Sequence, residues 1–538
     1  MTCVAAFCTR PRNVNFQIQI YISSNRVNES LFDLNMTAST HATLHQTYSN
    51  APIRGLPPRS DIPGDAQESR LIMTLSGRSH MLYTDDVTKA YSNQTPGATF
   101  IEAVSVDGTS SASYPRIQVH DPSDAHRLLR THVQKPSFPY STVLVGRGLI
   151  GQDDTDAWRK QRAWIKPAFQ ARHVHALFPI VLEQSVVCLQ KLSERLRPTD
   201  NQCVDIHPLL LETTFVMIGH LMLGEHSDWI DTHGNELRNA FTQGLQPYYR
   251  TTPEGQRAAE TMHRFTNESF ARYHAESSER QHRVTLLSRL LADHSDSPYK
   301  NDPSLQHDEL MTVMFAGHET TAHTLAWCLY ELARHPQQQR RIRKAIQSQE
   351  NELRRPTTQW SLREFQKVRL VTQAIRETLR LWPVVANGPF RELRSPETIK
   401  GRLKNHISSS EQQDYEDCAL RAPTAFQVPH WTLHRHPALW DTKDDALAPP
   451  DEFDLDRPAS ASGWNTDAYM PFSRPPRDCL GRHVAMMEMQ VLLIMLLQKY
   501  CIEWPESQSS KVGQNWATLV PEDGMLLRFQ QIQEMSRL

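Results

Sequence analysis

The sequence reads Phe472-Ser-Arg-Pro-Pro-Arg-Asp-Cys479-Leu-Gly481 directly before a helical pattern that runs from Leu480 to Lys499. A cysteine at this position lies where backbone amides and the helix dipole stabilise a thiolate, and Arg477 adds a positive charge. A thiolate can ligate iron or a soft metal. Gly481 would let a flat cofactor approach the backbone, and Arg477 is placed to bind an anionic group such as a propionate. The alternative interpretation is an ordinary loop cysteine beside a helix cap.

A second motif, Ala316-Gly-His-Glu-Thr-Thr321, lies inside a helical pattern that we place from Glu309 to Ala333. It is not the zinc-protease motif H-E-x-x-H, because His318 and His323 are one residue too far apart and would point about 140° away from each other. Glycine in mid-helix costs about 1 kcal/mol relative to alanine, and a mid-helix threonine can bond back to a carbonyl. The segment is either a slightly weak core helix or a helix opened near Gly317, where a ligand or water reaches the backbone.

The loop Gly146-Arg-Gly-Leu-Ile-Gly151 spells the dinucleotide-binding pattern G-x-G-x-x-G after a strand-like segment, residues 142–145. A dinucleotide site needs a helix that opens at the third glycine and an acidic residue about 20 positions further on. Here several aspartates follow at once, and a helical pattern then begins at Trp158. We therefore reject a nicotinamide site at this loop.

Glu377 and Arg380 are an acid and a base three residues apart on a helical pattern that runs from Phe365 to Leu381. Alone, such a pair is typical of an exposed helix surface, where it contributes roughly 0.3–0.5 kcal/mol. By itself the pair therefore indicates nothing about function.

Helical spacing dominates the chain from about residue 155 to residue 380, and it resumes at 480–499. Between about 384 and 432, Pro and Gly return and short strand-like pieces appear, among them Ala425–Val428. Residues 405–417 are polar enough for a surface insertion, and residues 449–458 are expected to form an ordered loop. We therefore predict a mainly α fold with a small β region.

Composition limits the possible partners and compartments. The chain carries 58 Lys+Arg against 60 Asp+Glu, a formal net charge of -2, so no strong field favours a nucleic acid as partner. The eight cysteines include no C-x-x-C pair, which argues against a disulfide framework or a structural zinc site and favours an intracellular location. No stretch approaches the ~20 apolar residues of a transmembrane segment.

The first 65 residues differ from the rest of the chain. They are rich in Ser, Thr, Asn and His, and they end in several prolines between positions 52 and 63. Such a composition predicts a polar leader with a Pro-rich hinge over residues 1–65. Residues 66–538 are then expected to form a single catalytic domain.

With these motifs in place, the chain resembles the cytochrome P450 family of heme-thiolate monooxygenases, in particular its eukaryotic, fungal-type members. The family's heme loop reads F-x-x-G-x-R-x-C-x-G, and four of its five fixed positions are matched, by Phe472, Arg477, Cys479 and Gly481. Pro475 stands where the family usually has glycine.

Three further family motifs occur in the family's order and spacing, so that the resemblance covers roughly residues 65 to 530. They are the central-helix motif [A/G]-G-x-[D/E]-T-[T/S], the E-x-x-R pair with a later arginine, and W-x-x-x-R. The matches are residues 316–321, Glu377 and Arg380 with Arg457, and Trp158 with Arg162.

The resemblance implies the triangular cytochrome P450 fold around a buried heme, with heme b as cofactor and Cys479 as the ligand of its iron. It assigns cofactor binding to Trp158, Arg162, Phe472, Arg477, Cys479 and Gly481, the first two and Arg477 on the propionates. It also assigns a structural role, as a buried cluster, to Glu377, Arg380 and Arg457.

The resemblance further implies a monooxygenase that inserts one oxygen atom from dioxygen into a small apolar organic substrate, such as a secondary metabolite or a fatty acyl chain. Glu319 and Thr320 would be the catalytic residues that relay protons to bound dioxygen. Electrons would come from a separate NADPH-dependent reductase, with Arg474, Arg477 and Arg482 as candidates for its docking patch. The family's usual location is the surface of the endoplasmic reticulum.

Pro475 leaves an alternative open. A proline cannot adopt a positive φ or donate an N–H, so the loop must turn differently from the family's glycine. Heme-thiolate isomerases and dehydratases, which need neither dioxygen nor external electrons, often have altered heme loops. They usually lack the acid–threonine pair that Glu319 and Thr320 provide, so we prefer the monooxygenase.

Overall fold

The structure is a computed structural model of the chain. It describes residues 4–8, 18–22, 32–34, 100–105, 113–136, 146–196, 203–224, 228–244, 252–275, 284–403, 415–420, 422–440, 447–505, 513–515, 518–521 and 523–532. The predicted boundary between residues 65 and 66 lies outside these ranges, as do residues 405–414 of the predicted surface insertion.

Helices form most of the described structure. In chain order they are α1 (Pro122–Thr131), α2 (Thr155–Ile165), α3 (Ala171–Ala176), α4 (Phe178–Leu196), α5 (His207–Leu223), α6 (Asp228–Gly244), α7 (Pro253–Ala275), α8 (Leu286–Leu290), α9 (Pro303–Arg334), α10 (Pro336–Leu353), α11 (Leu362–Lys367), α12 (Arg369–Leu381), α13 (His430–Leu433), α14 (Pro437–Trp440) and α15 (Arg482–Lys499). Short 3-10 helices lie at Lys166–Phe169, Thr357–Gln359 and Arg457–Ala459.

The strands are short and form small sheets. They are β1 (Val4–Cys8), β2 (Ile18–Ile22), β3 (Phe32–Leu34), β4 (Phe100–Ser105), β5 (Ser113–Gln118), β6 (Cys203–Asp205), β7 (Phe390–Glu392), β8 (Glu397–Leu403), β9 (Tyr415–Leu420), β10 (Ala425–Gln427), β11 (Tyr500–Glu503), β12 (Gly513–Asn515), β13 (Leu519–Pro521) and β14 (Leu526–Gln531). The sheet orders are β1-β2-β3, β4-β5-β10-β7, β11-β14-β6, β12-β13 and β8-β9. The β10 and β5 strands pair in parallel, with Phe426 opposite Ile117.

Helix α9 is the centre of the main hydrophobic core. It begins after Asp302, whose side chain accepts the amide of Leu305 at 3.0 Å, and Pro303 occupies the first helical position, where its missing N–H costs nothing. Residues 321–333 are buried on every face of the helix. It packs against α5, α12 and α15, and this packing holds the central-helix motif next to the helix that follows Cys479.

The predicted fold class is confirmed, because helices dominate and the β region is small. Individual boundaries differ. Helix α9 begins at Pro303 rather than at Glu309, and the helical pattern predicted from Phe365 to Leu381 is divided between α11 and α12. Within the described ranges, no helix combines the length and hydropathy that crossing a membrane requires.

Candidate active site around Cys479

Cys479 lies at the end of a tight loop that folds back on itself. Its amide donates to the carbonyl of Phe472 at 2.9 Å, and the amide of Ser473 donates to that of Met470 at 2.9 Å. Ser473 has φ of 59°, in the left-handed region, and the peptide bond before Pro476 is cis. The loop delivers the thiol to the N-terminal end of α15.

Many protein atoms surround the Cys479 thiol, but the residue remains accessible to solvent. Burial raises its pKa, against the opposing effects of the Gly481 and Arg482 amides and of the Arg162 guanidinium. Yet its side chain is exposed, so it faces a cleft rather than packed core. A Cβ at Gly481 would lie 4.0 Å from the sulfur, in ordinary contact. The amides at the helix N-terminus favour the thiolate once a metal replaces the proton.

Arg477 lies against Trp158 and points inward. Its guanidinium carbon is 4.2 Å from the centre of the indole ring, Nε donates to the carbonyl of Val133 at 2.9 Å, and Nη2 donates to that of Gln152 at 3.1 Å. Burial, with the nearby Arg391, lowers its pKa to about 9. The predicted pairing of Arg477 and Trp158 at one site is therefore present in the structure.

Two cations that the sequence did not single out, Lys135 and Arg391, share this site. Burial lowers the pKa of Arg391 to about 10, and burial with the neighbouring Arg391 and Arg477 holds the pKa of Lys135 well below its usual range. Within the described ranges, no carboxylate lies at ion-pair distance from any of the three. Asp153 acts on Arg477 only from beyond ion-pair distance, so three cations gathered without a directly paired acid form a site that favours an anion.

The residues present fit a heme. Arg477 Nη1 and Arg391 Nε are buried and have no hydrogen-bond partner in the described structure. A buried donor without an acceptor costs about 1–3 kcal/mol, so such atoms indicate that an acceptor belongs there. Propionate carboxylates supply acceptors and negative charge together.

Arg162, which the resemblance assigns to a heme propionate, is bonded to the loop that carries Cys479. Its Nη1 and Nη2 atoms donate to the backbone carbonyl and the Oδ1 atom of Asp478, at 2.9 and 2.6 Å. Burial lowers its pKa, and Asp478 and Cys479 oppose this effect. Arg162 thus anchors the residue before Cys479, and its positive charge lies near the thiol.

The acid and hydroxyl of the central-helix motif lie beside each other on α9. The Thr320 side chain is half-buried, and its Oγ1 donates to the Ala316 carbonyl at 2.8 Å. The Glu319 carboxylate is buried and accepts from Thr518 Oγ1 at 3.4 Å. Burial raises the pKa of Glu319 to about 7. Thr321 points elsewhere and hydrogen-bonds with Glu488 of α15.

Of the two interpretations of the segment around Gly317, the structure favours the core helix. Helix α9 is continuous, and a Cβ at residue 317 would lie 2.4 Å from Ile218 Cγ1 of α5. The glycine therefore allows two helices to pack closely. His318 is likewise committed to the core, because its ring lies against Phe215 and Phe241 and its Nδ1 bonds to the Met314 carbonyl at 2.8 Å.

The E-x-x-R pair is completely buried rather than exposed. Arg380 Nε and Nη2 donate to the two Glu377 carboxylate oxygens at 2.9 and 2.7 Å, and Arg457 Nε lies 3.3 Å from Glu377 Oε1. The two arginines also donate to backbone carbonyls, which are those of His434, Trp440, Ala448, Pro449, Pro450 and Glu452. The three predicted structural residues thus meet and hold the 448–457 segment.

Of the three arginines proposed for a docking patch, one does not point to the surface. Arg477 is turned inward, as described above. Arg474 Nη2 donates to the carbonyls of Thr466 and Tyr469, at 2.5 and 3.1 Å. Arg482 lies over the Phe472 ring at 5.4 Å. Only Arg474 and Arg482 therefore remain candidates.

A model of the cytochrome P450 family matches residues 109–529. This chain belongs to the cytochrome P450 family. It is similar to cytochrome P450 4A24 of Sus scrofa, with 27% identity over 77% of this chain and 82% of the relative. It is also similar to taurochenodeoxycholic 6 alpha-hydroxylase of Sus scrofa, with 27% identity over 71% of this chain and 76% of the relative.

A solved structure shares the fold. The heme domain of cytochrome P450DA superposes with a TM-score of 0.65 and 22% identity, covering 85% of this chain and 93% of that one. With the family established, the chain is a cytochrome P450 monooxygenase whose cofactor is a heme with a cysteine thiolate on the iron.

Sequence reasoning missed four residues around the site: Lys135, Arg391, Glu488 and Thr518. Glu488 had a usable signal, since it is a single acid within the apolar part of α15 and such an acid needs a buried partner. Arg391 lies in a three-residue strand between an aromatic and an acidic residue, which carries no comparable signal.

Proposed function

We propose that this cytochrome P450 inserts one oxygen atom from dioxygen into a small apolar organic substrate, of the secondary metabolite or fatty acyl type. The observation that carries the proposal is the position of Cys479 before α15, a helix that also contacts the acid–threonine motif of α9 through Glu488 and Thr321. The first motif supplies a metal ligand and the second a proton relay.

In this proposal the Cys479 thiolate ligates the heme iron, and the Gly481 and Arg482 amides stabilise its negative charge. Arg477 and Trp158 hold the propionate side of the site, with Lys135 and Arg391 as additional cations. When bound, the heme supplies the iron at which dioxygen is activated for transfer of one oxygen atom.

Glu319 and Thr320 are proposed to deliver protons. A carboxyl with a pKa of about 7 is populated in both protonation states near neutral pH, so Glu319 can release a proton and be reprotonated. The Thr320 hydroxyl can accept a hydrogen bond while it donates to the Ala316 carbonyl, and rotation about its Cα–Cβ bond redirects its own proton. The pair thus connects the buried acid to the cleft.

The apolar nature of the substrate is supported by two accessible side chains. Ile150 is 41% exposed and Val385 is 39% exposed, although both are large and apolar. Val313 and Val384, by contrast, are almost fully buried and contribute little surface. One relative, taurochenodeoxycholic 6 alpha-hydroxylase, is named for a hydroxylation, the reaction type proposed for this chain.

Electrons are proposed to come from a separate NADPH-dependent reductase, because the only dinucleotide-like motif of the sequence packs against α9. Arg474 and Arg482 would contribute to the docking surface. A location at the surface of the endoplasmic reticulum is part of the same proposal and rests on the family alone.

The second candidate function, a heme-thiolate isomerase or dehydratase, is favoured by Pro475 in the heme loop. The two functions differ in what they consume. We therefore propose to measure NADPH and oxygen consumption with a purified reductase, after a screen for compounds that shift the heme spectrum. A monooxygenase consumes both in proportion to an oxygenated product. An isomerase or dehydratase converts its compound without reductase and without oxygen.

A further inference from the structure

The glycine-rich loop of residues 146–152, named the Gly146 loop below, is clamped onto α9 by two adjacent acids. The Arg147 amide donates to Asp308 Oδ2 at 2.8 Å. The Leu149 amide lies 3.2 and 3.1 Å from the two carboxylate oxygens of Glu309. Two carboxylates of one helix thus bind alternate backbone amides of one loop.

Glycine is required where the loop touches the helix. Gly146 has φ of 47°, and a Cβ at Gly148 would lie 2.0 Å from Thr312 Oγ1 and 2.5 Å from the Asp308 carbonyl oxygen. Since that carbonyl is helix backbone, it cannot move aside cheaply. The first two glycines of the G-x-G-x-x-G pattern therefore serve close contact with α9 rather than a nucleotide.

An ion pair adds a further contact between the loop and the start of α9. The Arg147 guanidinium forms two hydrogen bonds with the Asp302 carboxylate, at 3.0 and 2.9 Å. The Arg147 carbonyl accepts from Gln161 Nε2 of α2 at 2.9 Å. The loop is thereby tied to both α9 and the helix that carries Trp158.

The other end of the Gly146 loop holds the cations of the heme site. The Ile150 carbonyl accepts from Lys135 Nζ, and the Gln152 carbonyl accepts from Arg477 Nη2 at 3.1 Å. The Gln152 amide in turn donates to the Gly148 carbonyl at 2.8 Å, so the clamped end and the cation-binding end form one rigid turn.

We propose that Asp308 and Glu309 are positioning residues for the heme site, which act by holding the Gly146 loop so that its carbonyls fix Lys135 and Arg477. This inference rests on the assignment of those cations to the heme propionates. Neither acid contacts Lys135 or Arg477 in the described structure, so their effect must pass through the loop backbone.

Glu309 is the more important of the two acids. It is completely buried and also accepts the Tyr299 hydroxyl at 2.8 Å, so its removal leaves two buried donors unpaired. Asp308 is only partly buried and its loop contact is with an exposed amide. We therefore expect the larger effect from substitution of Glu309.

The charges around Glu309 set how strongly it accepts the loop amide. The titratable and charged groups around it come from its own helix, the loop, the preceding segment and α7: they are Asp308, Arg147, Asp302, Tyr299 and His263. Burial raises the pKa of Glu309 to about 7, whereas the Tyr299 hydroxyl and the Leu149 amide lower it. The loop contact itself therefore favours the carboxylate form of Glu309, which is the stronger acceptor.

The first test is amide hydrogen exchange of residues 146–152 in the heme-bound protein. Glu309→Ala is expected to raise exchange of these amides by about tenfold, because the acceptor of the Leu149 amide is lost. Glu331→Ala is the matched control, since Glu331 is another buried acid of α9 with a buried donor, Trp382 Nε1 at 2.7 Å. Equal exchange of the loop in the two variants would overturn the proposal.

The second test moves the loop without changing an acid. Gly148→Ala should displace the loop from α9 and speed transfer of heme to an excess of apomyoglobin by about tenfold. Gly234→Ala is the control, because a Cβ there would meet its neighbours at ordinary distances, 3.7 Å and beyond. Faster loop exchange with unchanged heme transfer would contradict the link to the heme site while leaving the monooxygenase assignment intact.

The third test separates positioning from a purely structural role. Glu309→Gln keeps an acceptor oxygen for the Leu149 amide, so it should restore most of the loop protection and of the slow heme transfer that Glu309→Ala loses. If Glu309→Gln restores loop protection but still transfers heme as fast as Glu309→Ala, Glu309 does not act on the heme site through the loop.

Discussion

The guanidinium carbon of Arg477 lies 4.2 Å from the centre of the Trp158 ring, and this contact joins two segments of the site that are far apart in the sequence. Trp158 belongs to α2, whereas Arg477 belongs to the loop that ends at Cys479. The indole face attracts the guanidinium and helps to hold it in place. The Nη1 atom of Arg477 is buried and has no hydrogen-bond partner in the described structure, so it can donate to a propionate.

Arg477→Ala should weaken heme binding, because it removes a buried donor and a positive charge that fit a propionate. The expected change is about a 10- to 100-fold faster loss of heme, as for loss of a charge-assisted hydrogen bond. Transfer of heme to apomyoglobin measures this rate. The control is Arg159→Ala, since Arg159 is an exposed residue of α2 whose ion pair within the described residues is with the exposed Asp156. If both variants lose heme equally fast, Arg477 has no special role.

Glu377→Gln should destabilise the folded protein by about 3–5 kcal/mol, because it leaves Arg380 and Arg457 as buried charges without a counter-ion. Denaturant unfolding of the heme-bound protein gives the free energy. Glu236→Gln is the matched control, because its pair with Arg264 is half exposed and should contribute less than about 1 kcal/mol. A Glu377 effect as small as that of the control would show that the cluster is not a structural anchor.

Thr320→Ala should keep heme and substrate binding but divert reducing equivalents into hydrogen peroxide. The hydroxyl beside Glu319 is the proposed proton donor at the cleft, and a methyl group cannot replace it. The measured quantity is product formed per NADPH consumed, with peroxide assayed in parallel. Thr320→Ser, which retains the hydroxyl, should restore most of the coupling.

Thr321→Ala should behave differently from Thr320→Ala. The Thr321 side chain is buried and hydrogen-bonds with Glu488, so its loss should lower stability without uncoupling. If Thr320→Ala is as well coupled as the parent, the proton relay runs through another residue or the enzyme is the isomerase.

Glu488 should make a contribution to stability that is lost as pH rises from about 5 to about 8. Burial raises the pKa of Glu488 to about 8, well above its unfolded value, so the folded state binds the extra proton in this window. Buried histidines such as His318 and His323, whose pKa values burial lowers, act in the opposite direction below a pH of about 6.5. Glu488→Gln removes the Glu488 contribution alone, so the free energy of unfolding of the variant minus that of the parent should increase from pH 5 to pH 8, by at most about 1.4 kcal/mol per pH unit. A difference that stays constant over this range in denaturant unfolding would contradict this prediction.

The sequence was most informative where a motif combines residue types that together have a specific chemical use. Cys479 before a helix, Glu377 with Arg380, and Glu319 with Thr320 all lie where their motifs predicted. The E-x-x-R pair shows the limit of this reasoning, because nothing in its own spacing distinguishes an exposed pair from the fully buried one observed. Only the resemblance indicated a buried cluster with Arg457.

The remaining features depend on long-range packing that a single sequence does not display. The sequence around Gly317 allows two interpretations, and the close packing of Ile218 of α5 against this glycine decides between them. The Gly146 loop spells a nucleotide motif, but its amides meet Asp308 and Glu309, more than 150 positions later in the chain. Lys135 and Arg391 are distant in sequence, and only the fold brings them to Arg477.

The central claim is that the Cys479 thiolate ligates the heme iron, and the carbon monoxide difference spectrum of the reduced protein tests it most directly. The parent and Cys501→Ser, in which a partly buried cysteine away from the site is replaced, should both give the absorption band typical of thiolate ligation. Cys479→Ser should lose that band, because a neutral hydroxyl cannot supply the same electron donation. A thiolate-type spectrum that persists in Cys479→Ser would contradict the assignment.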